Sequence, residues 1–136
     1  MGSQPLKLLL DTHIVLWSLL EPSRLGAGSR KLLSEKDLKV WLSPISIWET
    51  LVLAQKGRIQ LDPDPVSWTR KYLEGGPFQS APLTAEVAII SRQLQLSHED
   101  PADRFIAATA AVYDLTLLTA DTRLLEGAGY SAVANS

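Results

Sequence analysis

The stretch His98-Glu-Asp-Pro-Ala-Asp103-Arg-Phe-Ile-Ala-Ala-Thr-Ala-Ala111 joins a cluster of acids to the most apolar helical pattern in the chain. Asp100 directly before Pro101 reads as a helix start: the carboxylate can accept from free amides of the first turn, and proline at the first helical position forfeits no hydrogen bond. Asp103 then falls in that first turn. The alanine-rich run that follows, with Phe105, Ile106 and Val112, lets a helix lie close against a sheet while leaving few polar atoms to satisfy. Such a helix belongs to a core, and its leading carboxylates belong at the rim of that core.

Outward from this helix, the other elements alternate. Lys7-Leu-Leu-Leu10 is a short continuous apolar run, a buried strand that ends at Asp11. Ile14, Leu16, Trp17 and Leu20 fit a helix closed by Glu21-Pro22, and Leu25 to Leu33 fit a second, amphipathic one. Lys39 to Ser43 is the next strand, followed after Pro44 by a helix marked by Ile47, Trp48, Leu51 and Val52 that stops near Gly57. Asp62-Pro-Asp-Pro65 is a turn, and Val66, Trp68, Tyr72 and Leu73 predict a helix running into Gly75-Gly76-Pro77. A short strand is expected around Ser80 to Leu83, and Thr84 caps a helix carrying Val87, Ile90 and Leu94. After the opening stretch come strands at Leu115–Thr119 and Ser131–Ala134.

Strands alternating with helices argue for an α/β fold with a mostly parallel sheet covered on both faces and right-handed crossovers. In such folds sites form beyond the carboxyl ends of the strands. Asp11 and Asp121 follow predicted strands, while Glu49 and Asp103 are expected in the first turns of helices that begin at the same edge. Four acids are thereby expected on one rim.

Length and composition bound the rest. With 136 residues the chain is expected to form one domain, residues 1–5 being a flexible or expression-derived tail. It has no cysteine, which excludes disulfides, thiolate metal sites and cysteine nucleophiles and fits a reducing compartment such as the cytoplasm. The N-terminus resembles neither a signal peptide nor a membrane anchor. A formal net charge of −2 means that any nucleic-acid binding must use a local basic patch or a metal ion.

Each acid has a plain structural reading beside the chemical one. Asp11 and Asp121 can cap the helices that follow, Ser46-x-x-Glu49 has the form of a capping box, and Asp100 is a better cap than Asp103. Their conjunction points further. Four carboxylates on one rim repel one another unless a cation shares the space. Magnesium and manganese suit hard oxygen ligands, whereas the absence of cysteine argues against zinc. His13 and His98 each stand alone at their elements and read as surface or supporting residues.

Taken together, Leu8-Leu-Leu-Asp11-Thr-His-Ile-Val-Leu-Trp17, Ser43-Pro-Ile-Ser-Ile-Trp-Glu49, the stretch from His98 through Asp103, and Leu117-Leu-Thr-Ala-Asp121 resemble, in order and spacing, the PIN domains of the bacterial VapC type. The resemblance covers nearly the whole chain. It implies a PIN-like three-layer α/β/α fold and an endoribonuclease dependent on Mg²⁺ or Mn²⁺, acting on single-stranded or structured RNA. It further implies the toxin half of a toxin–antitoxin pair, with a small antitoxin protein as partner and a homodimer as assembly. By position, the catalytic set is Asp11, Glu49, Asp103 and Asp121, with Asp11, Asp103 and Asp121 as metal ligands and Thr119 as a polar helper; Asp100 is not among the ligands.

RNA reaching an acidic rim needs cations, and Arg104, Arg123, Lys56 and Arg58 are candidates for phosphate contact. Trp68 and Tyr72, four apart on a predicted helix, suit a core or an interface better than base stacking, and the same holds for Trp17 and Trp48. Two other readings compete with the nuclease. One is a non-catalytic interaction module of the same fold, its acids serving only as helix caps. The other is a phosphatase of the haloacid dehalogenase type, which needs an aspartate where His13 stands.

Overall fold

The computed structural model describes residues 6–97 and 99–136. The expected tail at residues 1–5 and the role weighed for His98 lie outside the described residues. Leu8, Leu9 and Leu10 of β1 (Lys7–Leu10) are wholly or almost wholly buried, because both faces of this strand are covered. The side-chain alternation of a strand sorts them. Leu8 and Leu10 pack with Ile14, Val15 and Leu16 of α1 (Thr12–Leu20) and with Trp68, Leu73 and Leu118. Leu9 turns the other way, against Leu117, Ile106, Ala107 and Ala110.

The remaining elements follow in order: α2 (Ala27–Leu33), β2 (Lys39–Leu42), α3 (Pro44–Gln55), α4 (Pro65–Thr69), β3 (Gln79–Ser80), α5 (Ala85–Ser91), α6 (Pro101–Val112), β4 (Thr116–Thr119), α7 (Thr122–Glu126) and β5 (Ser131–Ala134). The five strands form one parallel sheet in the order β3-β2-β1-β4-β5, with Leu9 paired to Trp41 on one side and to Leu117 on the other. The expected three-layer α/β/α arrangement is thus present, with the helices flanking a sheet whose strands all run one way. β1 is central, and the strand order reverses beside it, between β1 and β4. Among the described residues no helix is long and apolar enough to cross a membrane.

Three departures from the sequence reading have physical causes. First, α3 begins at Pro44 with Ser43 as its cap, Ser43 Oγ accepting from the Ile45 amide at 3.1 Å. Ser46-x-x-Glu49 is therefore no capping box, and Glu49 lies in the second turn of the helix. Second, the helix expected through Tyr72 runs as α-helix only to Thr69 and then widens into a π-turn, Arg70–Glu74. Trp68 and Leu73 are both buried although five residues apart, a separation that a π-turn brings onto one face and an α-helix does not. Third, α5 stops at Ser91, so Leu94 lies beyond it.

Candidate active site

Asp11 leaves β1 at the reversal point, its amide donating to the Leu118 carbonyl at 3.0 Å, and its carboxylate caps α1 through the Thr12 amide at 2.8 Å. The other carboxylate oxygen accepts from the Thr119 hydroxyl at 2.6 Å. Thr119 ends β4, is fully buried, and also accepts from the Asp121 amide at 3.0 Å. One hydroxyl thus ties the two strand-end acids together.

The Thr12 hydroxyl donates to Glu49 Oε1 at 2.5 Å, and Ser46 Oγ stands 2.9 Å from the same hydroxyl. With the Thr12 proton committed to the carboxylate, Ser46 is the donor of the second bond. Neither Thr12 nor Ser46 stands out in the sequence as a site residue. A hydroxyl beside a strand-end aspartate and one a turn before a helical glutamate are common, and only the packing of α1 on α3 joins them.

Asp103 sits in the first turn of α6, as expected, and Asp100 caps that helix, accepting from the Ala102 amide at 3.0 Å. Asp121 caps α7 through the Arg123 amide at 2.9 Å. The Arg123 guanidinium folds back onto Asp121, Nε on Oδ1 at 3.2 Å and a terminal nitrogen on Oδ2 at 3.0 Å, and the same nitrogen lies 4.0 Å from Asp103 Oδ2.

Asp11, Glu49, Asp103 and Asp121 line a single open cleft of ≈ 450 Å³, together with His13, Trp17, Arg24, Asp100 and Arg123. The four acids come from separate segments of chain and meet where a doubly wound sheet is expected to bind ligands. Their charge is costly there. Burial pushes the Asp11 carboxyl above its ordinary value against the pull of Thr119 and Thr12, and burial followed by the charge of Asp11 raises Glu49. Asp103, only 8% exposed, is pushed up to about 7 by burial and then by Asp11, Asp100, Glu49 and Asp121. Asp64 makes the contrast. It caps α4 at the surface, and its bonds to Ser67 hold its carboxyl below the usual range. A pure cap stabilises its charge; Asp11, Glu49 and Asp103 carry theirs at a cost.

Hard carboxylate oxygens crowded at such cost fit a divalent cation. Among the described residues no three carboxylates or imidazoles are grouped so that they could by themselves hold a metal ion, and Thr12, Thr119 and Arg123 each engage one or more of the acids. The donor set therefore suits a magnesium-like ion that keeps several waters and takes one or two carboxylates plus substrate phosphate, rather than an ion wrapped by protein.

Arg104 corrects the sequence reading. It follows Asp103 in sequence, but successive helical residues point about 100° apart, and its side chain is buried against the end of α5. Nε donates to the Ser91 carbonyl at 2.8 Å and a terminal nitrogen to the Leu94 carbonyl at 2.9 Å. Arg104 closes the end of α5 and is not placed to meet RNA. Trp68 is core, as expected, with Tyr72 partly exposed 5.2 Å from it, ring to ring.

The PIN domain family profile matches residues 8–129. Ribonuclease VapC22 of Mycobacterium tuberculosis is 35% identical over 117 residues, covering 85% of this chain and 88% of that protein. VapBC2 from Rickettsia felis, solved with a DNA fragment from its promoter, superposes with a TM-score of 0.72 at 14% identity, covering 95% of this chain and 98% of that one. A toxin–antitoxin complex from Klebsiella pneumoniae gives a TM-score of 0.67 at 23% identity, with 94% and 97% covered. At these identities the two solved structures speak for the fold alone. Profile, relative and sheet order agree with the resemblance drawn from the sequence motifs, and the chain belongs to the PIN domain family.

Proposed function

We propose that this protein is a metal-dependent endoribonuclease that cleaves single-stranded or structured RNA, and that it is the toxin of a toxin–antitoxin pair acting in the cytoplasm. One observation carries the proposal: Asp11, Glu49, Asp103 and Asp121 converge on one cleft at the strand-order reversal, with at least three of them held above their ordinary ionisation range. The 35% identity to a ribonuclease supports the same reading. In it, Asp11, Asp103 and Asp121 hold Mg²⁺ or Mn²⁺, in one single-domain chain that pairs as a homodimer.

When bound, the cation supplies a Lewis acid for the phosphate and a water of lowered pKa for in-line attack. The chain's own residues do the rest. Thr119 and the Thr12 amide orient Asp11, and Thr12 with Ser46 orients Glu49. Glu49, with its raised affinity for protons, is suited to take the proton of the attacking water. Arg123 pairs with Asp121, lies 4.0 Å from Asp103, and is positioned to turn toward phosphate when they bind metal.

A small antitoxin as partner is supported by fold neighbours solved as two-component complexes, which carry that description for themselves. The test is cleavage of RNA with Mg²⁺ or Mn²⁺, with and without EDTA, by the native chain, Asp11→Asn and Asp103→Asn. Each substitution should lower the rate by more than about 100-fold, since losing even a residue that supports a metal ligand costs up to that much. Unchanged cleavage in both variants would sink the assignment.

The non-catalytic module is the second reading, favoured by the fact that Asp11 and Asp121 do cap helices. Thermal melts separate the two. A metal site predicts stabilisation that grows with Mn²⁺ concentration and vanishes in Asp11→Asn; caps alone predict none.

A further inference from the structure

Trp48 is the most exposed large apolar side chain among the described residues, at 57%, and it stands one residue before Glu49. No core packing accounts for it. On α3 it lines a groove of ≈ 370 Å³ floored by the half-buried Val52 and Leu53 and flanked by Lys56 and Arg58. Glu49 and His13 line both this groove and the acidic cleft, so the two are continuous.

The helix end places the cations. Gly57 adopts φ 70°, the left-handed conformation that glycine takes without strain, and its amide donates to the Ala54 carbonyl while the Arg58 amide donates to the Leu53 carbonyl. These are the two bonds of a Schellman ending, and they turn the chain back so that Lys56 and Arg58 rise on either side of the glycine. Arg24, Arg70 and Arg92 sit in ion pairs with Glu21, Glu74 and Glu99. Among the described residues no ion pair engages Lys56 or Arg58. What sets Lys56 and Arg58 apart is their place, in one groove with an exposed indole and next to the acidic cleft.

We propose that this groove seats the single-stranded nucleotides next to the cut phosphate, a base stacking on Trp48 and neighbouring phosphates meeting Lys56 and Arg58. The inference rests on the ribonuclease reading and adds to it the surface that holds the substrate strand. Stacking on an aromatic face with cations along the backbone is how single strands are held without reading their sequence. Continuity with the cleft supplies the geometry: a strand whose phosphate lies among the four acids runs directly into the groove. The groove carries both signs of charge: Glu49 and Asp100 lie on the side it shares with the acidic cleft, and Lys56 and Arg58, beyond them, are the groups an RNA phosphate can meet.

The test uses a fluorescein-labelled, mixed-sequence single-stranded RNA, with binding read by anisotropy in EDTA and cleavage read separately in Mn²⁺. Trp48→Ala should weaken binding by about 5- to 150-fold, the range of one lost base stack, and Trp48→Phe should recover most of it. Lys56→Gln and Arg58→Gln should each flatten the dependence of log affinity on log salt by about 0.7, one phosphate contact on a single strand. Because all three side chains are exposed, melting curves of the variants should match the native one. If the native chain cuts RNA and Trp48→Ala binds and cuts it equally well, the groove proposal is overturned while the nuclease reading stands. The groove proposal falls likewise if Trp48→Ala keeps RNA but loses a partner protein encoded beside it. If the native chain neither binds nor cuts RNA, both readings fall.

Discussion

The two sides of the acidic cleft are built differently. On one side Asp11 and Glu49 are engaged by neutral hydroxyls, Thr119 on the first and Thr12, backed by Ser46, on the second. On the other side Asp103 and Asp121 share a cation, Arg123. A donated hydroxyl hydrogen bond orients a carboxylate and favours its ionised form without cancelling the charge, whereas a guanidinium offsets the charge and must yield when another cation arrives. The first side is a fixed support and the second an exchangeable one.

The largest expected effect tests whether the cleft is truly short of positive charge. Folded Asp103 keeps its proton to about 7, while in the unfolded chain it ionises near its ordinary 3.8. Its folded pKa is raised, so the stability tied to its protonated form is fully present below about pH 4 and is lost as pH climbs to about 7. Raised Asp11 and Glu49 act in the same direction. Urea unfolding in EDTA should show metal-free protein losing about 2–4 kcal/mol over that window from Asp103 alone. Asp103→Asn should flatten the profile; an unchanged slope would mean that Arg123 already balances the site.

Next in size, Thr12→Val removes the hydroxyl that orients Glu49. We expect turnover to fall about 10- to 100-fold, the range for supporting groups around a metal site, with Mn²⁺ affinity nearly unchanged because Glu49 is not itself a ligand. A matching loss of affinity in calorimetry would make Glu49 a direct ligand. Arg123→Gln should do the reverse and tighten Mn²⁺ binding by up to about fivefold, since an exposed ion pair is worth at most about 1 kcal/mol. Weaker binding would show that Arg123 supports the site rather than competing for it. The smallest change is Asp100→Asn, where asparagine still caps α6 and stability should hold within about 0.5 kcal/mol.

Much of this arrangement is legible in the sequence, for local reasons. A leucine run ending in Asp11, and Asp100-Pro101 with Asp103 a turn later, are patterns whose meaning depends on neighbours in sequence. Ser43-Pro44 is the same signal as Asp100-Pro101; given equal weight, it marks the true start of α3 and releases Glu49 from the capping box. Arg104 cannot be read this way. Its partners are carbonyls 10 and 13 residues distant, and nothing in adjacency to Asp103 reveals which way a helical side chain points. The Thr12–Glu49 bond likewise spans 37 residues and exists only once α1 lies on α3.

The hydroxyl bond between Thr119 and Asp11 has a consequence for how the protein is made. Its partners are 108 residues apart. At roughly 5–20 residues per second on the ribosome, Asp11 waits on the order of 5–20 s before the strand that completes its surroundings has been synthesised. Until then β1 lacks its β4 neighbour and the acids of α6 and α7 have no rim to join. A nascent chain therefore has no assembled cleft until β4, and α7 after it, have left the ribosome, and whatever chemistry the four acids perform must wait for that point.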